Sequence, residues 1–236
     1  MSSDVSVELT SESTGTRARL SPLRQVVRAV LGVYMRLYHR LELRGREHLP
    51  ARGPAIVLVN HASLLDVPAL MVLDPYPDTI FIAKASLFKV PLVGWLLGQW
   101  DAIAVERQGR DSTGVRMLLK ALHSGRVLAV AAEGRRTRSG RLGPINPVLA
   151  KIAASSDLPL VAVGISGSFE ALPPGAKLPR PHKLLVRVGD QFRIARGTDA
   201  AEAARRIQAE IAALLPLHQQ PLAEDDAALA DDDVDG

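Results

Sequence analysis

Short apolar runs typical of buried strands alternate with longer segments of helical periodicity through most of this chain. The predicted strands are 55–59, 79–83, 102–105, 127–131, 160–165 and 184–188. The predicted helices that follow or separate them are 64–73, 111–124, 147–156 and 199–215. Strands and helices that alternate in this way form a sheet whose faces are covered by helices. The sequence therefore predicts an α/β fold with a central β-sheet flanked by helices.

The length and the lack of cysteine limit what this fold can contain. With 236 residues, 47% of them hydrophobic, the chain can build a single α/β domain with a proper core but not two of ordinary size. It contains no cysteine. Disulfide scaffolds, cysteine-rich zinc sites and a thiolate nucleophile are therefore excluded together.

Both ends of the chain have the composition of disordered segments. Residues 1–20 are polar and lack the order of charged and apolar residues of a secretory signal, so we interpret them as a disordered leader. Residues 217–236 hold seven acidic residues and no lysine or arginine, so we interpret them as a solvated, acidic, disordered tail. The main domain is then predicted to span 45–216.

The acidic ends conceal a basic body. The whole chain carries +4, to which the leader contributes −1 and the tail −7, so residues 21–216 carry +12. A body this basic favours a polyanion, an anionic membrane surface or a phosphorylated small molecule as its partner.

Residues 21–44 are predicted to form an N-terminal amphipathic, membrane-associating segment whose helix spans 23–41. Ser21 and Pro22 are a favourable N-cap and first-turn pair. Its arginines fall on one helical face and its valines, leucines and tyrosines on the opposite one. The apolar face either lies in a membrane interface or covers the core of its own domain. No apolar run reaches the roughly 20 residues that a membrane-spanning helix needs.

The segment 87–100 contains both tryptophans of the chain within an apolar, glycine-punctuated sequence. Tryptophan favours boundaries between water and apolar material. The segment is therefore either a partly exposed element that faces lipid or an acyl chain, or a buried helix.

His61 and Asp66 follow the strand 55–59, five positions apart. A strand that ends in an imidazole, with a carboxylate one turn into the next helix, supplies a general base and the group that orients it. The alternative is a structural histidine beside a strand, since such residues outnumber catalytic ones.

Further polar groups follow other predicted strands: Lys84, Arg107 and the run Glu133, Gly134, Arg135 and Arg136. Open α/β sheets place their ligand crevice beyond the carboxyl ends of the strands. A guanidinium there binds phosphate in bidentate fashion, and a glycine lets backbone amides approach an anion. The cluster therefore suits a phosphate monoester, although any single arginine could equally be a solvated surface charge.

Taken in order, these segments resemble the glycerolipid acyltransferase family that includes the 1-acylglycerol-3-phosphate acyltransferases. The family's Asn-His-x-x-x-x-Asp block is matched by Asn60, His61 and Asp66. Its second, third and fourth blocks are similar to residues 102–107, 132–137 and 158–163. A lone His-x-x-x-x-Asp pattern is weak, but four blocks in order form a specific resemblance that extends over about residues 45–194.

The resemblance implies a glycerol-3-phosphate acyltransferase-like fold and transfer of a fatty acyl group from acyl-coenzyme A or acyl carrier protein to the hydroxyl of a lysophospholipid. His61 would act as the base and Asp66 would hold it. Substrate-binding residues carried over from the family are Lys84, Arg107, Glu133, Gly134, Arg135 and Arg136. No cofactor or metal beyond the acyl co-substrate is implied, and the enzyme would work at the cytoplasmic face of a membrane, peripheral or monotopic.

Departures from the family pattern leave the acceptor open. Ala132 and Arg135 replace the proline and threonine of the third block, and residues 144–148 lack the lysine and glycine that usually follow it. A lyso-aminolipid or glycerol 3-phosphate is then an alternative to 1-acylglycerol-3-phosphate.

Three other functions are weaker alternatives. A Ser-His-Asp hydrolase using Ser63 lacks a nucleophile elbow, because residues 164–168 end in serine rather than glycine. Nucleic-acid binding has few aromatic residues to support it, so no nucleic-acid partner is expected. A catalytically silent phospholipid-binding relative would not need the intact His61 and Asp66. The oligomeric state is open.

Overall fold

The computed structural model describes residues 21–50, 53–73, 79–100, 102–105, 120 and 122–222. The strands are β1 Glu42–Arg44, β2 Ala55–Val59, β3 Thr79–Lys84, β4 Ile103–Val105, β5 Val127–Ala131, β6 Leu160–Ser166 and β7 Leu185–Phe192. The α-helices are α1 Pro22–Tyr38, α2 Asp66–Leu73, α3 Pro91–Gln99, α4 Pro147–Ser156, α5 Ser168–Ala171 and α6 Ala200–Ala212. Short 3₁₀ helices cover Arg46–His48, Ala85–Lys89 and Leu217–Gln219. Most of the helix predicted at 111–124 lies outside the described residues.

The seven strands form one sheet in the order β1-β7-β6-β2-β5-β3-β4. Strands β6, β2, β5, β3 and β4 run parallel to one another, and β7 is antiparallel to β6. Because parallel neighbours end at the same edge, the residues that follow β2, β5 and β3 meet there. Val59 lies opposite Ala131, which brings the segments after β2 and β5 side by side. The predicted α/β fold with a central sheet is confirmed.

Strand β2 shows why the sheet is covered on both faces. All five of its residues are buried. Val57 and Val59 join a core with residues of α1, α2 and α3, whereas Ile56 and Leu58 join a second core with residues of α4 and α6. A parallel strand that is buried on both sides has no polar face, which explains its unbroken apolar sequence.

Helix α1 is attached to the domain by a narrow strip of its surface. The Ser21 hydroxyl caps its first turn by accepting from the Arg24 amide. Gly32 and Met35 are its buried residues. Most of its remaining apolar face is exposed, as is Leu37 at 77%. Only the strip around Gly32 and Met35 therefore covers the core of the domain. The rest of the apolar face is compatible with a position in a membrane interface.

The helix is shorter than predicted. Arg40 adopts a left-handed conformation (φ 48°), and Leu41 donates a backbone hydrogen bond back to Met35. The chain then enters β1, which pairs with β7, so 42–44 form a strand rather than the end of the amphipathic segment. Among the described residues, no helix is both long enough and apolar enough to cross a membrane.

The tryptophan-containing segment is divided between the core and the surface. Trp100 is buried in the core beside Leu97, whereas Trp95 is 45% exposed on the outer side of α3. The buried-helix interpretation therefore describes Trp100, and the interpretation as a partly exposed element describes Trp95.

Residues 217–222, the first part of the predicted tail, lie against the rest of the domain. Leu217–Gln219 forms a short helix, and the buried Gln219 accepts a hydrogen bond from the Leu142 amide through its carbonyl. These six residues therefore belong to the described part of the domain, and the extent of the acidic tail stays a prediction. The acidic residues of the predicted tail lie outside the described residues.

Candidate active site

The imidazole of His61 and the carboxylate of Asp66 are in direct contact at the end of β2. Nδ1 of His61 lies 2.9 Å from Oδ2 of Asp66. The Asp66 side chain is 2% exposed and that of His61 is 16% exposed. The carboxylate is thus removed from water while the ring can still meet a ligand.

Asp66 is held by backbone amides as well as by the histidine. It is the first residue of α2, and its Oδ2 accepts hydrogen bonds from the amides of Ala62 and Ser63, each at 2.8 Å. A carboxylate at a helix N-terminus is also favoured by the helix dipole. The Asp66 carboxylate can therefore contact His61, five positions earlier, because the chain at residues 62 and 63 folds back onto that carboxylate before α2 begins.

These contacts fix the tautomer of the neutral imidazole. An ionised carboxylate only accepts hydrogen bonds, so Nδ1 of His61 carries the hydrogen and Nε2 carries the lone pair. Nε2 makes no hydrogen bond within the part of the chain that the structure describes. This is the arrangement that a general base requires.

Glu133 connects the segment after β5 to the backbone of His61. Its Oε2 accepts from the His61 amide at 3.0 Å, and its Oε1 accepts from the Gly143 amide at 2.6 Å. The structure thus places this predicted substrate-binding residue against two backbone amides. Because the carboxylate is buried, desolvation raises the pKa of Glu133, an effect that the hydrogen bonds from Gly143 and His61 oppose.

Gly134 makes the tight turn that follows Glu133. It has a left-handed φ of 72°, and a Cβ built on it would lie 2.6 Å from Nδ2 of Asn146. Asn146 in turn caps α4, because its side-chain oxygen accepts from the amides of Val148 and Leu149. The segment 144–148, which departs from the family pattern, therefore contains the start of a helix packed against this turn.

Arg135 and Arg136 lie on an exposed loop that adjoins the histidine. The Thr137 amide donates to the backbone carbonyl of His61 at 2.9 Å. Both arginines, one and two residues earlier, are exposed. The loop therefore carries two exposed arginines within two residues of its backbone contact with His61.

For the other two predicted basic residues, Lys84 and Arg107, the structure gives less detail. Lys84 is the last residue of β3, whose neighbour β5 leads into Glu133. Arg107 lies outside the described residues, shortly after β4 ends at Val105. The strand order brings the ends of β2, β5, β3 and β4 to one edge of the sheet, as the sequence predicts.

Asn60 has a structural function that sequence reasoning did not assign. Its side-chain amide donates to the carbonyl of Ile165 at 2.9 Å and accepts from the amide of Ile165 at 2.7 Å. It therefore extends the pairing of β2 with β6 by one step beyond the strand. Its position in the Asn-His-x-x-x-x-Asp block was the one signal that it mattered.

Ser63 is not available as a nucleophile. Its buried hydroxyl donates to the carbonyl of Leu172 at 2.9 Å and accepts from the amide of Leu65 at 3.2 Å. The hydrolase alternative depended on this hydroxyl, so the structure removes its support.

Taken together, the described residues offer a base with a free lone pair, a buried orienting carboxylate and a loop with two exposed arginines. Among those residues, no group of three histidines, aspartates or glutamates is placed to hold a metal ion. The site can accept a proton from a hydroxyl while cationic groups hold an anion nearby.

The fold is shared with a crystal structure of the 1-acyl-sn-glycerophosphate acyltransferase PlsC from Thermotoga maritima. The two chains superpose with a TM-score of 0.61 over 81% of this chain and 82% of the other. Their sequences are 22% identical, so this likeness concerns the fold.

Relatives in sequence carry two kinds of name. A chloroplastic 1-acyl-sn-glycerol-3-phosphate acyltransferase of Brassica napus is 27% identical over 59% of this chain and 41% of its own length. A lyso-ornithine lipid O-acyltransferase of Pseudomonas aeruginosa is 30% identical over 52% of this chain and 46% of its own length. The matched region spans less than half the length of each of these two relatives.

A family model described as Acyltransferase matches residues 40–166. This region, more than half of the chain, contains the His61–Asp66 pair, Glu133 and the loop with Arg135 and Arg136. The chain belongs to the acyltransferase family.

Proposed function

We propose that this protein transfers a fatty acyl group from acyl-coenzyme A or acyl carrier protein to the free hydroxyl of 1-acylglycerol-3-phosphate, giving phosphatidate. The observation that carries this proposal is the His61–Asp66 contact, which leaves Nε2 without a hydrogen bond among the described residues, in a chain of the acyltransferase family. The names of several relatives support the choice of acceptor.

In the proposed reaction, Nε2 of His61 takes the proton of the acceptor hydroxyl as its oxygen attacks the thioester carbonyl. Asp66 keeps the ring in the required tautomer and stabilises the imidazolium that forms. The tetrahedral intermediate then collapses, the carbon–sulfur bond breaks, and the imidazolium returns the proton to the departing thiolate. The products are an ester and a free thiol, and no covalent acyl-enzyme forms.

The acceptor phosphate is the proposed ligand of the basic residues around this edge of the sheet. Arg135 and Arg136 are exposed on the loop next to His61, and a guanidinium matches phosphate geometry with two hydrogen bonds. Lys84, the last residue of β3, and Arg107, shortly after β4 in the sequence, would complete the set. Glu133 would contribute indirectly, by holding the His61 backbone, and Gly134 by allowing the turn. Fixing the hydroxyl against the base can supply several kcal/mol of the barrier reduction.

The exposed apolar surface of α1 supports a location at a membrane interface. Val26, Val30, Val33 and Leu37 are all more than half exposed. An amphipathic helix can bury such a face at the boundary between headgroups and acyl chains. We propose that α1, with Trp95 of α3, holds the protein on the cytoplasmic face of the membrane as a peripheral or monotopic enzyme.

A lyso-ornithine lipid is the second candidate acceptor. Relatives with this specificity in their names occur in Pseudomonas aeruginosa and Rhizobium meliloti. Arg135 in place of the family's threonine adds a cation that could bind a headgroup carboxylate instead of a phosphate. Glycerol 3-phosphate would be a third, water-soluble acceptor.

The proposal is tested by incubating the purified full chain with acyl-coenzyme A, or with acyl carrier protein as donor, and a panel of these acceptors. Free thiol and lipid product are followed together. Thiol release that depends on 1-acylglycerol-3-phosphate, with phosphatidate formed, is the expected result. Thiol release that depends on lyso-ornithine lipid would identify that lipid as the acceptor instead, and thiol release without a new lipid would indicate hydrolysis.

His61→Ala should lower transfer by about 100-fold or more, and near-normal turnover in that variant would refute the mechanism.

A further inference from the structure

The last described residues of the chain lie directly against the loop that carries the arginines. The Leu142 amide donates to the carbonyl of Gln219 at 2.8 Å, and Nη1 of Arg141 donates to the carbonyl of Gln220 at 3.2 Å. Gln219 is buried, and its side-chain amide contacts both carboxylate oxygens of Glu170 at 3.3 Å. The segment that follows Leu222 therefore starts from a fixed point beside the candidate site.

The loop from Gly134 to Leu142, here called the arginine loop, is strongly basic. It contains Arg135, Arg136, Arg138 and Arg141 and no acidic residue. The first three are exposed, and none of the three forms an ion pair with a carboxylate in the described part of the chain. Such a loop has a concentrated positive potential that an anion can neutralise.

The segment 223–236 has the complementary composition. It contains seven acidic residues and no basic one, and the first of them, Glu224, is four residues after Gln220. Four extended residues span about 14 Å, and the whole segment spans up to roughly 45 Å. The acidic residues are therefore within reach of the arginine loop without any change in the described fold.

We propose that segment 223–236 docks in cis on the arginine loop and competes there with anionic ligands. A short tether gives a local concentration in the millimolar range, so even a weak interaction between separate molecules would be largely formed within the chain. The docking itself depends on charge and proximity. Its consequence, competition with the acceptor headgroup, rests on the function proposed above.

The docking is tested first without any reference to activity. Hydrogen exchange of the backbone amides 134–142 is compared between the native full chain and a full-length variant in which all seven acids are replaced by their amides. We expect slower exchange in the native chain at about 20 mM salt and equal exchange at about 1 M, where charges are screened within roughly 3 Å. Amides of β7, which pairs with β6 and β1, serve as the internal control. Equal exchange at low salt would overturn the proposal.

A second experiment uses the segment as a separate molecule. A labelled peptide of residues 223–236 is titrated into the full-length amide variant and followed by fluorescence anisotropy. The triple change Arg135→Gln, Arg136→Gln and Arg138→Gln should weaken binding at least threefold, about what three exposed ion pairs contribute. The matched change of three other exposed cations, Lys177→Gln, Arg180→Gln and Arg205→Gln, should leave it unchanged. Equal effects of the two triple variants would show nonspecific attraction and contradict the proposal.

The competitive consequence is measured with whichever anionic acceptor the protein uses. The amide variant should show an apparent KM for that acceptor that is several-fold lower than that of the native chain at low salt, with kcat little changed. If KM is unchanged while the loop amides of the native chain still exchange more slowly than those of the variant, the docking is supported and the competition is refuted. If no acyl transfer is detected, the first two experiments still decide the docking, so the two proposals fail separately.

Discussion

Glu133 accepts a hydrogen bond from the backbone amide of His61, although the two residues are 72 positions apart. The same carboxylate holds the Gly143 amide with its other oxygen. A single buried side chain therefore ties the segment after β2 to the loop after β5. The candidate base and the arginine loop are thereby parts of one hydrogen-bonded unit.

Asp66→Asn should lower acyl transfer strongly and stability moderately. The oxygen of asparagine can replace Oδ2, which now accepts from His61, Ala62 and Ser63. Its NH₂ group would then take the place of Oδ1, which is buried and has no hydrogen-bond partner among the described residues. A buried polar group left unpaired costs about 1–3 kcal/mol. The free energy of unfolding in urea and the turnover number, measured on the same variant, should both decrease. Unchanged turnover would show that the carboxylate charge is not needed.

Glu133→Gln should change how stability depends on pH. Burial raises the pKa of Glu133 above its ordinary value of 4.5, so the folded protein binds its proton more tightly than the unfolded chain does. The stability from this linkage is complete below about pH 4.5 and is lost as the pH rises through the folded pKa. The variant lacks this contribution, so the unfolding free energy of the native protein should fall relative to that of the variant over this range. A difference that stays constant or grows with pH would contradict the prediction.

Gly134→Ala should destabilise the turn by more than its backbone conformation alone requires. Gly125 has the same φ of 72°, but no described atom lies within 4 Å of the place its methyl group would take, whereas at Gly134 that place is 2.6 Å from Asn146. Gly125→Ala therefore measures the cost of the left-handed backbone, on the order of 1 kcal/mol. The Gly134 variant should lose about 1–3 kcal/mol more, by urea unfolding. Equal losses would mean that Asn146 moves aside at no cost.

Leu37→Ser should weaken attachment to lipid vesicles. Its side chain is exposed on α1, and burying a leucine contributes about 1.5–3 kcal/mol, so binding should fall roughly tenfold or more. Leu217→Ser is the matched control, since Leu217 is equally exposed at 82% but lies outside α1. Flotation of both variants with vesicles tests this. Equal flotation of the two variants would show that α1 does not bind the membrane.

Arg136→Gln should raise the apparent KM for an anionic acceptor about tenfold, with a smaller change in kcat, because a charge-assisted contact contributes roughly 1.5–3 kcal/mol. Arg205→Gln changes an exposed arginine on α6 and should leave both constants near their native values. A KM that stays the same in both variants would assign Arg136 a structural function.

The strands that can be predicted well from sequence are the buried parallel ones. The bounds of β2 and β5 match the predicted runs 55–59 and 127–131, because strands buried on both faces have unbroken apolar sequences. Strand β7 continues to Phe192 instead of ending at the predicted 188, since Asp190 and Gln191 are polar and exposed, yet Gln191 and Phe192 still pair with β6. The three-residue strand β1 is absent from the prediction, because its pairing with β7 has no local signature.

The candidate site is predictable where its signal is local. His61 and Asp66 are five residues apart, and their contact follows from one turn of chain at the end of β2. The contact of Glu133 with the His61 amide depends on the register of β2 against β5, which no single segment of sequence encodes. The roles of Asn60 and Ser63 likewise depend on partners more than 100 positions away.

The two hydrogen bonds between Asn60 and Ile165 have a consequence for synthesis of the protein. They join positions 105 apart, so the residue next to His61 has no side-chain partner until β6 has been made and has paired with β2. Contacts this distant in sequence form late, because the intervening loop must be closed first. A nascent chain on the ribosome therefore contains the complete His61–Asp66 sequence well before it can hold that sequence in its working geometry.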